Sequence, residues 1–288
     1  MRHHHTTPSN EAADLARWAD DGGPEPDPQA RRHHADAEWL RVAAALATRL
    51  HPLAESDDIL VTCAHRTRSG APAAFFPNLA ELEIATNLFK PHPPATLHPD
   101  RHGDEDRYPV AWGAFTHEAA HAAHSDWTLP AHLHGTTLAE ASEWLEESRA
   151  EHHHLQRRPA DRRWLRAAIR HLILNNLGTR PPTDRWTTAQ AAALILARRD
   201  TGILEPDETQ ALHDLAEQIL GPGLLATLQT IWQAAHATGD TDAAAMEAHA
   251  RAWCQALAHD PHQPPPNPDP TAQRRSDALP TAIAGITR

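Results

Sequence analysis

From residue 108 to residue 258 the chain reads as one helical segment after another, and this limits its fold more than any other feature. Apolar residues recur at helical spacing over 108–124, 137–156, 160–177, 187–200, 206–220, 222–238 and 240–258. Asp161 and Thr187 or Thr188 suit helix starts, Pro206 suits a first turn, and Gly178, Gly202 and Gly239 suit helix ends. Upstream, "DAEWLRVAAALATRL" (36–50) forms an amphipathic helix with Trp39, Leu40, Val42, Ala43, Leu46 and Leu50 on its apolar side. "DILVTCA" (58–64) suits a short strand, and "AELEIAT" (80–86) alternates like a second one after the turn-forming "FFPN". Apolar residues make up 40% of the chain, much of it alanine, and aromatics only 5%, which favours helices packed through small side chains. The expected fold is therefore α+β, predominantly α-helical, with a small N-terminal sheet and a helical C-terminal half. The expected division is a flexible segment at 1–35, a core at 36–160, a helical subdomain at 161–258, and a Pro-rich linker and tail at 259–288. Within 1–35, "NEAADLARWA" is compatible with a short helix.

The formal charge of -12 argues against a nucleic-acid partner, whose footprint would be basic. Cys63 and Cys254, the only two cysteines, make neither a disulfide framework nor a thiolate zinc site. No apolar run approaches the roughly 18 residues of a membrane span, and none follows the opening "MRHHH" as a signal peptide would require. A cytoplasmic protein without a membrane partner is expected.

The chemistry lies in "AFTHEAAHAAHSDW" (114–127). Shuffling 24 His and 17 Glu would produce His-Glu-x-x-His roughly 0.1 times per chain of this length, so context must support the spacing. Here it does. The string falls inside the helix expected at 108–124, where His117 and His121 stand one turn apart on one face. Two imidazoles so placed can reach one ion. Glu118 is rotated about 100° from His117, so it can flank the ion and take a proton from water there. The preceding "VAWGAF" is apolar, and a buried helix with aligned histidines needs partners for their ring nitrogens. His124 lies nearly two turns from His117 and points past such an ion.

Catalytic zinc usually has three protein ligands and an open position. The helix of 137–156 offers Glu140, Glu143, Glu147 and Glu151 at steps of three or four, opposite Leu138, Ala141 and Leu145. Such a stripe is ordinarily a solvated face. The connection "SDWTLPAHLHGT" is short, however, and an antiparallel packing would carry a carboxylate to the histidines.

"THEAAH" followed by a glutamate on the next helix resembles the gluzincin superfamily of zinc metallopeptidases, the group that includes thermolysin. "HEAAHAAHSDW" with "LEESRAE" also resembles metallopeptidase-like domains of bacteria and their phages that often accompany a von Willebrand A domain, which is not evident here. The likeness covers roughly residues 108–160. It implies a zincin-like active-site helix within the 36–160 core, Zn2+ as cofactor, His117, His121 and one glutamate as ligands, Glu118 as general base, and a peptide or protein substrate. In thermolysin-like enzymes an acidic residue one turn after the ligand orients a zinc-bound histidine. Glu147 with Glu151 fits that spacing and ranks first, and Glu143 with Glu147 ranks second. Glu140 ranks third: eighteen residues separate it from His121, as in the aminopeptidase branch, but that branch's surrounding motif is missing. The resemblance also implies an edge strand that pairs with substrate, for which "AELEIAT" is the candidate.

Tyr108, His132, His134, Arg149 and His171 are candidates for stabilising a developing oxyanion, each with a structural role as the plainer alternative. "EHHHL" (151–155) reads as polar surface. Trp164, Trp186, Trp232 and Trp253 are expected between helices. Two functions follow: a zinc hydrolase acting on peptide bonds, or a catalytically inactive module of the same fold that binds a protein partner around a structural metal. The presence of Glu118 favours the first.

Overall fold

A computed structural model describes residues 28–175, 177 and 181–266. The protein is α+β and predominantly helical, with a small three-stranded sheet. Its contacts separate two compact units, one ending at Ala111 and the other beginning at Trp112. The division falls ahead of the expected 160/161 boundary because a single core joins the helices on both sides of residue 160. The candidate helix at 10–19 and Gly178 lie outside the described residues.

In the first unit, α1 (Pro28–Ala54) buries Val42, Ala43, Leu46, Leu50 and Leu53. Leu40 falls off this stripe and is exposed. The strands are β1 (Leu60–Ala64), β2 (Ala73–Phe76) and β3 (Glu81–Ala85). β3 pairs parallel with β1 and antiparallel with β2. It is therefore the central strand, not the expected edge, because "AAFF", which the sequence pattern passes over, supplies a strand on its second side. Along the Pro-rich loop, Arg41 donates to the carbonyls of Pro94 and Leu97. Asp104 accepts from the His98 amide and from the Tyr108 hydroxyl, so that tyrosine is committed within its own unit.

The second unit contains α2 (Pro109–His124, whose first residues precede the division), α3 (Thr137–Arg157), α4 (Arg162–Ile169) with a π turn at Arg170–Leu174, α5 (Arg185–Ala191), a second π turn at Ala192–Leu196, α6 (Ala197–Asp200), α7 (Pro206–Leu220), α8 (Pro222–His236) and α9 (Ala243–Ala256). Leu138, Leu145, Leu165, Ile195, Leu212, Leu228, Trp186, Trp232 and Trp253 form part of one core, and Trp164 is buried too. α2 and α4 meet at Gly113, where a Cβ would lie 2.0 Å from the Trp164 carbonyl oxygen; only glycine permits this approach.

Two expected caps are relocated. α5 starts with a capping box between Asp184 and Thr187, one turn before the expected threonine start. Asp161 precedes α4 but does not cap it; its carboxylate accepts from His154 Nε2 (2.9 Å) and Arg158 Nε (2.8 Å) instead. Pro206 does open α7 and Gly202 takes a left-handed turn after α6, whereas α8 ends at His236 ahead of Gly239. Residues 260–263 are no free linker: the carbonyls of Pro261 and Gln263 accept from the Leu138 and Thr137 amides, and the Thr137 hydroxyl donates to Asp260 O. They satisfy donors that the start of α3 would otherwise leave open. Among the described residues no helix is long and apolar enough to cross a membrane.

Candidate metal centre

The sequence spacing places His117 and His121 on one face of α2, with ring centroids 4.7 Å apart and nearly perpendicular. α3 supplies the opposing groups. His117 pairs with Glu151 and Ser125 with Glu146, and these pairings run in opposite senses along the two helices, as an antiparallel arrangement requires. Ligand-capable atoms of His117, His121 and Glu147 lie within 4.8 Å of one another. His117 Nε2 is 3.4 Å from Glu147 Oε2, and His121 Nε2 is 3.7 Å from Glu147 Oε1. All three residues are partly exposed.

The partners behind the rings set their tautomers. His117 Nδ1 donates to Glu151 Oε1 at 2.8 Å. Ser125 gives its only hydrogen to Glu146 Oε1 at 2.5 Å, so its oxygen must accept from His121 Nδ1 at 2.9 Å. Both neutral imidazoles therefore carry their lone pair on Nε2, and both Nε2 atoms face the Glu147 carboxylate. Two imidazole nitrogens and a carboxylate are a donor set suited to zinc. Ligands about 2.0–2.2 Å from a tetrahedral ion stand about 3.3–3.6 Å apart, close to the separations seen here. The residues present fit a zinc ion.

Arg198 holds the carboxylates. It is fully buried, with Nε 2.6 Å from Glu151 Oε2 and Nη2 2.9 Å from Glu151 Oε1 and 3.1 Å from Glu147 Oε2. The π turn at Ala192–Leu196 inserts a residue just before it and so shifts the register of α6; Leu194 O accepts from Arg198 Nη1. Burial alone would raise Glu151, but Arg198 and His117 outweigh it and hold its carboxyl down at about 2. Burial would likewise lower His117, yet Glu147 and Glu151 push it up to about 9 in the metal-free protein.

The other expected residues separate clearly. Glu140 accepts from Trp186 Nε1 at 3.0 Å, and Glu143 is exposed, within electrostatic range of His134. Glu118 is buried next to His117 and adds to the negative field on it. His124 turns away to Asp240, with Nδ1 3.0 Å from Oδ2. Arg149 is fully buried on Glu146, at 2.6 and 2.7 Å, and donates to the His124 carbonyl, which commits it to structure. His132 and His171 are exposed.

"EHHHL" is not polar surface. Three consecutive residues point in three directions around a helix, and α3 is packed by α8, α9, the second π turn and the 3-10 turn at Pro159–Asp161. His154 is buried on Asp161, His152 stacks on His236 at 5.2 Å, and His153 approaches Asp240. Sequence reading also missed Arg198, Ser125 and Glu146, whose roles depend on partners 21 to 51 residues away. No protein-family model, curated protein or solved structure matches this chain.

Proposed function

We propose that the protein is a zinc-dependent metallopeptidase of the gluzincin type, with His117, His121 and Glu147 holding the ion. The observation that carries this reading is the convergence of both Nε2 lone pairs on Glu147, with Glu151 and Ser125 fixing the rings from behind. When bound, zinc supplies a Lewis acid that acidifies water and polarises a carbonyl.

The remaining work falls to the chain. Glu118 accepts the proton of the attacking water at its carboxylate and delivers it to the leaving amine. Glu151 keeps His117 in the tautomer whose Nε2 is free to bind. Arg198 fixes both Glu147 and Glu151, so that neither carboxylate swings away when the ion departs. The burial of Glu118 on the helix that carries both histidines limits competing water.

The ligand assignment has a direct test in zinc affinity, measured by chelator competition at neutral pH. Glu147→Ala is expected to weaken binding by more than about a hundredfold, beyond the roughly 10–100-fold typical of losing an orienting partner, which is the range expected of Glu151→Ala. Glu143→Ala and Glu140→Ala should stay within about threefold of wild type, because neither carboxylate reaches the histidines to bind or orient a ligand. A larger loss from either than from Glu147→Ala would reassign the ligand.

A further inference from the structure

A second group of ligands lies one turn further along α2. Ligand-capable atoms of His124, His153 and Asp240 fall within 4.8 Å of one another. Asp240 Oδ2 is 3.0 Å from His124 Nδ1, and Oδ1 is 3.6 Å from His153 Nδ1. The two rings are tilted by 39° with centroids 5.6 Å apart. Three different elements supply these residues: α2, α3 and the loop between α8 and α9.

The loop is held in place for this. The Asp126 amide donates to Asp240 O at 3.1 Å, and Arg149 Nη1 donates to Thr238 O at 3.1 Å and to Asp240 Oδ1 at 3.2 Å. What the arrangement leaves unmet is on the histidines. The Nε2 atoms of His124 and His153 are buried and have no hydrogen-bond partner among the described residues. His124 itself is only 4% exposed. The ring atom that faces Asp240 is Nδ1 in both histidines; an ion bound between them takes the place of the Nδ1 proton, and the neutral ring then carries its hydrogen on Nε2.

The ligand types, not the local charge, favour a metal ion. Arg149 makes two short contacts with Glu146 and one with Asp240 Oδ1, and Asp240 Oδ2 meets His124. Arg157 adds a positive field at His124. Borderline-soft divalent metals accept this mixed imidazole–carboxylate set. We propose that His124, His153 and Asp240 form a second binding site for a divalent transition-metal cation, distinct from the centre at His117, His121 and Glu147. The two sites are the ends of one hydrogen-bonded chain: His121 to Ser125, Ser125 to Glu146, Arg149 to Glu146 and to Asp240, and Asp240 to His124.

Cobalt is the probe, since its visible absorption reports low-coordinate nitrogen–oxygen sites and separates them from loose surface binding. Full-length protein is loaded with Co2+, passed over a chelating resin, and assayed for retained metal and visible absorption. Wild type should retain two ions per chain, His153→Ala one, and Glu147→Ala one. His132→Ala, which removes an exposed histidine, should retain two. Circular dichroism verifies folding; should His153→Ala fail to fold, Asp240→Asn replaces it, because its amide oxygen still accepts from Arg149. A loss of one ion in His153→Ala or Asp240→Asn supports the site. Retention in the folded variant equal to that of wild type overturns it and makes the cluster a closed hydrogen-bond network. Glu147→Ala reports on the other centre alone, so failure there is separately visible.

Discussion

Glu118→Gln is expected to lose at least about a hundredfold in peptide-bond turnover, the low end of what general acid–base catalysis contributes, while keeping its metal and its thermal stability. Glu118 sits one residue past His117 and is rotated away from the line joining the two imidazoles. Nothing in the arrangement requires it to hold the ion, because His117, His121 and Glu147 already converge without it. Gln preserves the shape of Glu and removes the base. The measurement begins with zinc-loaded wild type and a mixed peptide library, with mass spectrometry to find a cleaved bond, and then compares the two proteins on that peptide. Cleavage that persists undiminished in Glu118→Gln contradicts the assignment of the base. No cleavage by zinc-loaded wild type favours the alternative of a metallopeptidase-like fold that binds a protein partner.

The second large effect is on stability. Arg198→Met should destabilise the metal-free protein by about 3–5 kcal/mol, the usual cost of removing one partner from a buried ion pair. The guanidinium is fully buried and makes its contacts in fork geometry with Glu151 and Glu147. Met fills similar volume, so the loss is of charge and hydrogen bonds more than of packing. The Glu151 carboxylate then stays 1% exposed with the guanidinium gone and only His117 beside it. Adding Glu151→Gln to Arg198→Met should recover part of the loss, since it removes the stranded charge, and such non-additivity is the signature of a direct pair. Urea unfolding of the four proteins decides the matter. An Arg198→Met effect within about 0.5 kcal/mol, the range of ordinary surface substitutions, would show that Arg198 does not organise the two carboxylates.

The helical order of the second unit was legible because each helix carries its own signal. The His pair, the Glu147–Glu151 step and the apolar face of α3 are all local repeats of about 3.6 residues. Helix limits were legible where Pro or Gly interrupts, as at Pro206, and not where the last turn tightens, as after His236, where the Ala237 and Thr238 amides donate to the Ala234 and Ala235 carbonyls. The sheet order was less so: "AAFF" has too few residues to show alternation, and without it β3 looks like an edge. The ion pairs were illegible for a different reason. A glutamate stripe looks the same whether solvated or buried, and only an arginine 51 positions beyond Glu147 distinguishes the two. The same holds for His153, whose approach to Asp240 is set by the loop after α8 and leaves no trace in the neighbouring sequence.

Anomalous diffraction at the zinc edge, from crystals of the zinc-loaded protein, is the sharpest test of the metal centre. The expected peak is bounded by His117 Nε2, His121 Nε2 and a Glu147 carboxylate oxygen, each at about 2.0–2.2 Å, with Glu151 still on His117 Nδ1. An absence of zinc between the two histidines at neutral pH, or a peak there whose third protein ligand is Glu143, Glu140 or His124, would contradict the assignment.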